Sequence, residues 1–274
     1  MKIFMVGGAV RDMLLGIEPK DRDYVVVGSS EEEMLSLGYK KVGADFPVFL
    51  HPETGEEYAL ARKEKKSGSG YNGFVCETED VTLEEDCLRR DITINSIAYD
   101  LETGQYIDPH GGIADLEART IRHTSSAFSD DPLRVLRVAR FAARYQFHVS
   151  GHTWILCQRI VSSNEMFALS NERIWLEIDK IFDEKYPSIA MNFLIGMHIW
   201  KVPKIAKYLN PNYRLERFHE EQFSKIEKMF YMLSISKLTK YEALEMRIPI
   251  NIYKKLKFLN GRQGIPLIQP INRR

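Results

Sequence analysis

A pair of glycines near the start of the chain constrains the fold more than any other feature. Gly7 and Gly8 follow an apolar run, residues 3–6, and precede an apolar-periodic stretch that continues to Leu15. This order predicts a strand, a tight turn and a helix, a geometry in which bare backbone N–H groups approach a phosphate. A glycine pair after a strand is also common in ordinary turns, so the segment alone leaves both interpretations open.

Two carboxylates precede the next apolar run. Asp21 and Asp23 lead into residues 24–27, and side chains alternate along a strand, so both are predicted to point to one face. Like-facing carboxylates repel each other unless a cation lies between them, and Mg²⁺ prefers such oxygen ligands. Together with the glycine turn, the pair predicts metal-dependent chemistry on a nucleoside triphosphate.

The composition limits the number of domains and the cellular setting that the chain is expected to have. The chain has 274 residues, of which 44% are hydrophobic and 28% charged, with a formal net charge of zero, which predicts two or three globular domains. No apolar run approaches the length of a membrane span, and the start lacks the pattern of a signal peptide. Cys76, Cys87 and Cys157 are widely spaced and match no metal-binding pattern, which predicts a reduced, cytoplasmic setting.

The neutral total conceals an uneven distribution of charge. From Asp183 onward the chain has 17 Lys and Arg against 8 Asp and Glu, and residues 1–182 carry the opposite excess. A basic second part attached to an acidic first part suits a polyanionic partner that one part holds and the other processes. Lys-rich helices that serve solubility alone would give the same balance.

Local patterns divide the chain near residue 122. Before it, short apolar runs alternate with turns, whereas from Asp131 to about Leu259 the pattern is helical. The pieces predicted outside the helical part are a hairpin around residues 51–55, a mobile loop over 65–73, a strand over 92–99, a turn over 108–112 and an irregular tail after Gly261.

The helix predicted after Asp131 carries arginines along one face. Asp131 and Pro132 form a typical N-cap and N1 pair, and apolar residues occupy the opposite side. An ordinary solvated face mixes Lys and Glu, so arginine alone favours bidentate binding of phosphates or base edges. The arginines are Arg134, Arg137, Arg140 and Arg144.

Taken together, these motifs resemble the bacterial-type, class II CCA-adding tRNA nucleotidyltransferases of the polymerase-β-like superfamily. The segments that carry the resemblance follow one another in the family's order: residues 7–12 with 21–23, 89–95, 108–116, 130–140, and 171–177 as the helix that supports the neck. The resemblance implies an α+β fold. A nucleotidyltransferase head with a small mixed sheet flanked by helices would span residues 1–122, a helical neck with the base-recognition helix 123–182, and a basic helical body and tail that binds tRNA 183–274.

The resemblance also implies roles for individual residues. Asp21 and Asp23 would hold Mg²⁺, and Glu57 would be a third catalytic carboxylate, with the adjacent Glu56 as the alternative. Gly8 and Arg11 would contact the triphosphate of the bound ATP or CTP. The ribose would be contacted through Arg90, Asp91 and Asn95, since a carboxylate that accepts from the 2′-OH selects ribonucleotides.

Asp131 and Arg134 resemble the family's amino-acid template for the incoming base. Cytosine and adenine each present an amine donor beside a ring-nitrogen acceptor, so Asp131 would accept from the amine while Arg134 donates to the ring nitrogen. Uracil and guanine present the opposite pattern and would leave both side chains mismatched. Arg137 and Arg140 would hold phosphate or base nearby.

The activity implied is template-independent addition or repair of the 3′-terminal CCA of tRNA from CTP and ATP, with release of pyrophosphate. Three alternatives remain open. A bacterial poly(A) polymerase shares the motifs of the first part but is typically longer and more basic, and an RNA-binding remnant would have lost activity. A partial enzyme would add only CC or only A, although the loop segment 65–73 favours full CCA addition.

The C-terminal part departs from the longer relatives. Those carry a metal-dependent phosphohydrolase domain marked by a His-Asp dipeptide, which occurs nowhere in this sequence. We therefore expect a shortened, diverged C-terminal part without that activity. The sequence predicts no membrane partner and gives no prediction of oligomeric state.

Overall fold

The computed structural model describes residues 1–42, 47–66, 74–209, 223–233 and 238–261. It divides into two compact units, one of residues 1–134 and 147–160 and the other of residues 135–146 and 161–274. Most of the loop predicted over 65–73, and all of the tail predicted after Gly261, lie outside the described residues. Within the described ranges, no helix combines the length and apolar character needed to cross a membrane.

The first unit is built on a seven-stranded mixed sheet with the order β3-β4-β5-β2-β1-β8-β9, flanked by short helices. Two further pairs of strands, β6 with β7 and β10 with β11, lie outside it. The α+β class predicted from the sequence is confirmed. The strands are β1 Lys2–Val6, β2 Asp23–Val27, β3 Lys40–Val42, β4 Val48–Leu50, β5 Glu57–Leu60, β6 Lys63–Lys66, β7 Phe74–Glu77, β8 Ala98–Asp100, β9 Tyr106–Ile107, β10 Thr120–Ile121 and β11 His148–Val149.

Strand pairing explains which residues meet at one end of the sheet. β1 and β2 are antiparallel, with Val6 opposite Asp23, whereas β2 and β5 are parallel, with Asp23 opposite Glu57. β4 and β5 form the predicted hairpin, with Phe49 opposite Tyr58. Side chains of paired residues lie on the same face, so Asp23 and Glu57 project to the same side of the sheet.

A compact apolar cluster supports this sheet. Each fully buried Val or Phe side chain stabilises the fold by about 1.5–3 kcal/mol relative to an exposed one. The buried members come from β1, β2 and β8 and from segments beside them: Phe4, Val6, Val25, Ala61, Val81 and Ala98.

The glycine turn forms as the sequence predicts. β1 ends at Val6, and helix α1 begins at Gly8 and ends at Leu14. Gly7 has a φ of 70°, a conformation that residues with a Cβ rarely adopt, and a Cβ there would lie 3.1 Å from Nη1 of Arg90. Both observations explain why the chain needs glycine at this turn.

The strand predicted over residues 92–99 is wrong for most of its length. Thr93–Asn95 form a 3₁₀ helix, and β8 begins only at Ala98. The Thr93 hydroxyl donates to Asp115 at 2.6 Å, and the Ser96 hydroxyl donates to the Thr93 carbonyl at 2.7 Å. Such local side-chain hydrogen bonds compete with strand pairing and favour a tight turn.

The predicted turn at residues 108–112 leads into helix α4, which packs closely on this 3₁₀ helix. A Cβ on Gly112 would lie 2.3 Å from the Thr93 carbonyl oxygen, so no larger residue fits there without moving the backbone. Besides the 3₁₀ helix Thr93–Asn95, the helices of the first unit are α1, α2 Glu31–Ser36, α3 Leu83–Leu88, α4 Gly112–Glu117, the 3₁₀ helix Ser126–Asp130 and most of α6 Gly151–Ser162.

The arginine-bearing helix starts later than predicted. α5 spans Arg134–Tyr145, three residues after the proposed N-cap. Asp131 nevertheless caps the turn before it, because its Oδ1 accepts from the Leu133 N–H at 3.1 Å and its carbonyl accepts from the Arg134 N–H at 3.0 Å. The interval is therefore a capped turn that leads into the helix.

The described part of the second unit is helical, as predicted. Its core includes the fully buried Tyr208, whose hydroxyl donates to the Met246 carbonyl at 2.7 Å and whose ring stacks on Trp175 with centroids 6.0 Å apart. After α5 it contains the 3₁₀ helix Asn164–Ala168, α7 Asn171–Asp183, α8 Pro187–Gly196, the 3₁₀ helix Ile199–Lys201, α9 Pro203–Ala206, α10 Lys225–Met232, α11 Lys240–Glu245 and α12 Ile250–Gly261.

Candidate active site

The three carboxylates predicted for catalysis border one cavity of the first unit. Asp21, Asp23 and Glu57 all line it, and it has a volume of about 710 Å³. Asp21 lies in the bend before β2, not on the strand as the alternation of side chains predicted. Asp23 and Glu57 are register partners on β2 and β5. We call these three residues the acidic end of the sheet.

The acidic end has no direct ion-pair partner among the described residues, although Lys20 and Arg22 line the same cavity. Within the described parts of the chain, the carboxylates of Asp21, Asp23 and Glu57 have no hydrogen bond or ion pair with another residue. Asp23 stays accessible to solvent, yet desolvation by nearby protein raises its pKa, Arg90 opposes this shift and Asp21 adds to it. A carboxylate with a raised pKa beside a second one is the donor set that a hard cation stabilises.

Glu56, the alternative third carboxylate, has a different environment. It accepts from the Thr54 hydroxyl at 3.0 Å and lies 3.4 Å from the Tyr24 hydroxyl. Glu56 immediately precedes β5, which begins at Glu57, and its carboxylate is engaged by other residues, unlike that of Glu57. No group of three or more His, Cys, Asp or Glu side chains among the described residues is arranged to hold a metal ion.

A buried network joins the glycine turn to the 3₁₀ helix. The Arg11 guanidinium pairs with Asp12 at 2.8 Å and also donates to the Asn95 side-chain oxygen. The Asn95 amide donates in turn to Asp91 at 2.9 Å. A Cβ on Gly8 would lie 3.3 Å from Arg11, so the glycine also gives this side chain its space. The structure thus brings together the four residues predicted for the triphosphate and ribose contacts on this side: Gly8, Arg11, Asp91 and Asn95.

A second buried cluster, which the sequence analysis missed, is centred on Asp86. Its carboxylate is fully buried and accepts from Arg89 at 2.7 Å and from Arg90 at 3.0 Å. Burial acts to raise the pKa of Asp86, but the two guanidinium groups outweigh it and hold the pKa below its usual range. Asp86 precedes the two arginines by three and four residues, a helical spacing that could have revealed the pairing. We call these three residues the Asp86 cluster.

The two arginines of the Asp86 cluster contact two other parts of the predicted site, the glycine turn through Arg90 and Arg134 through Arg89. Arg90 approaches Gly7 and acts electrostatically on Asp23. The Arg89 carbonyl accepts from Arg134 at 2.7 Å, and the Ala127 carbonyl accepts from the same guanidinium at 2.8 Å. Because two fixed carbonyls orient Arg134, its direction is set before any ligand binds.

Arg137 and Arg140 belong to the second unit. Arg140 is buried, and its Nε donates to Glu177 at 2.8 Å, with its guanidinium 4.5 Å from the Phe141 ring. Arg137 lies 3.9 Å from the same carboxylate. Glu177 is a residue whose role the sequence analysis missed. The pairing gives Arg140 a structural role within its unit, and the nucleotide contacts of Arg137 and Arg140 remain predictions.

The glycine turn, the acidic end and the Asp86 cluster all lie in the part of the chain that a family model matches. Residues 3–122 match the family described as the poly A polymerase head domain. Relatives and solved structures are similar to a larger part of the chain.

Two curated relatives are both described as multifunctional CCA protein. The one from Mannheimia succiniciproducens is 49% identical over 246 residues, which are 87% of this chain and 58% of the relative. The one from Tolumonas auensis is 57% identical over 198 residues, 71% of this chain and 48% of the relative. The chain therefore spans about half the length of these relatives.

Solved structures with the same fold extend the comparison. A tRNA nucleotidyltransferase complexed with a primer tRNA and an incoming ATP analogue matches with a TM-score of 0.73 at 26% identity, covering 96% of this chain and 82% of that one. A tRNA-processing enzyme with CTP matches with a TM-score of 0.71 at 25% identity, covering 95% and 75%.

Proposed function

We propose that this chain catalyses template-independent addition or repair of the 3′-terminal CCA of tRNA, with CTP and ATP as substrates. The observation that carries the proposal is the unpaired acidic end beside the glycine turn. Homologues described as CCA proteins, and related structures with tRNA, CTP or an ATP analogue, support it. In the reaction the RNA 3′-oxygen forms a bond to the α-phosphorus of the nucleotide, and the bond to the leaving pyrophosphate breaks.

The donor set fits Mg²⁺. Asp21 and Asp23 would hold the ion, because both line one cavity without an ion-pair partner among the described residues and because Asp21 helps to raise the pKa of Asp23. When bound, Mg²⁺ neutralises triphosphate charge and makes the attacking hydroxyl more acidic. Glu57 would contribute its carboxylate from β5, facing the same side as Asp23.

The remaining residues bind and orient the nucleotide in this proposal. Gly8 lets the backbone of the turn approach the triphosphate, with Arg11 as the cation beside it, and Arg90 contributes to the ribose contact. Asp91, held by Asn95, is the ribose acceptor. Asp131 and Arg134 match the hydrogen-bonding edges of cytosine and adenine, while Arg137 and Arg140 act on phosphate or base.

The organisation along the chain is part of the same proposal. The head would span residues 1–122, the neck 123–182 and the basic body and tail 183–274, with the acceptor end of tRNA as partner of the last. A cytoplasmic location is favoured by three free cysteines, Cys76, Cys87 and Cys157.

The decisive experiment is an extension assay resolved to single nucleotides. Purified chain, Mg²⁺, CTP and ATP are incubated with a tRNA that lacks its 3′ end, with Asp21→Ala as the matched inactive control. We expect addition of C, C and A followed by a stop, and no addition by the control.

Other products would redirect the proposal. A long A tail would indicate the poly(A) polymerase alternative, and addition limited to CC or to A would indicate a partial enzyme. Absence of any extension while the chain still binds tRNA would indicate an RNA-binding remnant.

A further inference from the structure

A second cavity of the first unit lies apart from the candidate active site and is lined by basic side chains. Its volume is about 450 Å³, and it shares no lining residue with the cavity at the acidic end. Its walls contain no acidic residue. We call it the basic pocket, and its lining residues are Arg122, His123, His152, Ile155, Leu156 and Arg159.

Arg122 is held in place with donor capacity to spare. Its Nε and Nη2 donate to the buried Asp115 at 3.0 and 2.8 Å, which leaves Nη1 without a partner among the described residues. Half of the side chain is exposed. A guanidinium whose orientation is fixed by one carboxylate can offer its remaining donors to a second anion without further ordering.

His123 is oriented in a similar way. The Thr153 hydroxyl, which is fully buried, lies 2.8 Å from its Nδ1, and Nε2 makes no hydrogen bond within the described ranges. Burial lowers the pKa of His123, and the charges of His152 and Arg122 lower it further. The three groups therefore act on one another electrostatically, and a bound anion would relieve the repulsion.

The other two basic residues stand open to solvent. His152 and Arg159 are exposed on α6 and have no hydrogen bond or ion pair with any described residue. Ile155, also exposed, and Leu156 supply an apolar wall between them. Two arginines and two histidines around an apolar wall match one nucleotide unit, whose phosphate accepts from N–H donors while its sugar or base contacts apolar atoms.

We propose that the basic pocket binds a phosphate group of the tRNA backbone. The inference rests on the proposed function for its RNA partner. It assigns a binding role to residues that lie outside the nucleotide-transfer machinery. A free phosphate or pyrophosphate ion has the same chemistry, so the test must separate the two sources.

The test uses the double variant His152→Gln/Arg159→Gln, because neither side chain supports the fold through a described contact. Lys40→Gln, an exposed lysine on β3, is the matched control for loss of surface charge. The dissociation constant for tRNA is measured by fluorescence anisotropy across a KCl series, and extension is assayed in parallel at saturating tRNA.

We expect the double variant to bind tRNA about 3- to 10-fold more weakly, with a logarithmic salt slope smaller by about 1, the change for one phosphate contact. The control should change neither. Extension at saturating tRNA should persist. An unchanged affinity and slope would overturn the proposal even if CCA addition is normal, whereas a wild-type chain that binds tRNA without extending it would contradict the proposed function alone.

Separate titrations with inorganic phosphate and with pyrophosphate, followed through the histidine signals in NMR spectra, identify the source. Saturation of His123 at sub-millimolar phosphate, without any effect of the variant on tRNA affinity, would assign the pocket to a free anion and overturn the RNA proposal. Failure of the wild-type chain to bind tRNA would overturn it as well.

Discussion

The acidic end and the Asp86 cluster lie in the same unit but differ in the burial and the ion pairing of their carboxylates. Asp86 is completely enclosed, and two arginines neutralise it. Asp21, Asp23 and Glu57 stand together at a cavity, and no described residue pairs with them. A buried carboxylate without partners would cost several kcal/mol, so the fold satisfies the one that it encloses. The carboxylates at the cavity, which an external cation can reach, have no ion-pair partner among the described residues.

The difference predicts which charged residues act mainly on the stability of the fold and which act mainly on catalysis. Removing the Asp86 charge should lower the stability of the fold first, because Arg90 loses its ion-pair partner and Arg89 keeps only Glu64. Removing a charge from the acidic end should lower the rate of nucleotide incorporation without lowering the free energy of unfolding. Each prediction below tests this division, beginning with the largest expected effect.

The largest effect is expected from Asp23→Asn. Nucleotide incorporation should fall by about 10³-fold, the scale of losing a strong electrostatic contact in a transition state. A raised pKa means that the folded state holds the proton more tightly than the unfolded chain, so the ionised Asp23 opposes folding at neutral pH. The free energy of unfolding at pH 7 should therefore not decrease.

Urea denaturation and single-turnover kinetics measure both quantities for this variant. Glu56→Gln is the matched control, since it lines the same cavity but is engaged by Thr54. Retained incorporation by Asp23→Asn, or a large loss of stability, would contradict the division between the two regions.

The second effect is expected from Asp86→Asn. Loss of this buried charge leaves Arg90 without its ion-pair partner and Arg89 with Glu64 alone, and should lower the free energy of unfolding by about 3 kcal/mol. The pKa of Asp86 lies below its usual range, so its contribution is complete above about pH 4 and declines as the pH falls further. The difference between variant and wild type should shrink accordingly in acid.

Asp115→Asn provides the comparison for this variant, because Asp115 is also buried and paired with an arginine but does not contact Arg89 or Arg90. Both variants should lose stability. Only Asp86→Asn should also raise the KM for CTP in the fraction that remains folded, and equal KM values for the two variants would show that the cluster positions nothing in the site.

The smallest of the three effects is expected from Arg134→Ala. Discrimination of CTP over UTP, measured as the ratio of kcat/KM values, should fall by about 10²-fold, because the variant no longer penalises the mismatched base edge. The exposed Arg144 on the same helix is the control, as Arg144→Ala. Unchanged selectivity would remove Arg134 from base recognition.

The sequence predicts the local elements well where residue chemistry acts over a few positions. The strand, turn and helix around Gly7, and the hairpin that pairs Phe49 with Tyr58, follow from turn residues and apolar runs. The strand predicted over 92–99 failed because Thr93 and Ser96 find partners that hold a 3₁₀ turn. One of those partners, Asp115, lies far along the chain, so no local pattern could indicate it.

The candidate site is predictable in its members and less so in its connections. The carboxylates follow from spacing and resemblance, and their common cavity agrees with that grouping. The contacts of Arg134 with two carbonyls, and of Arg140 with Glu177, depend on tertiary packing. Because guanidinium groups serve phosphates and carboxylates equally well, an arginine-rich face alone does not distinguish ligand binding from internal pairing.

The parallel pairing of β2 with β5 has a consequence for how the molecule is assembled. β1 and β2 are consecutive strands and can pair early, which creates the Asp23 position alone. Glu57 comes to lie opposite Asp23 only when β5, which follows β3 and β4 along the chain, pairs with β2. Such non-local pairing closes a long loop and is slow relative to hairpin formation. Competence for chemistry would therefore be acquired late in folding, when the sheet is complete.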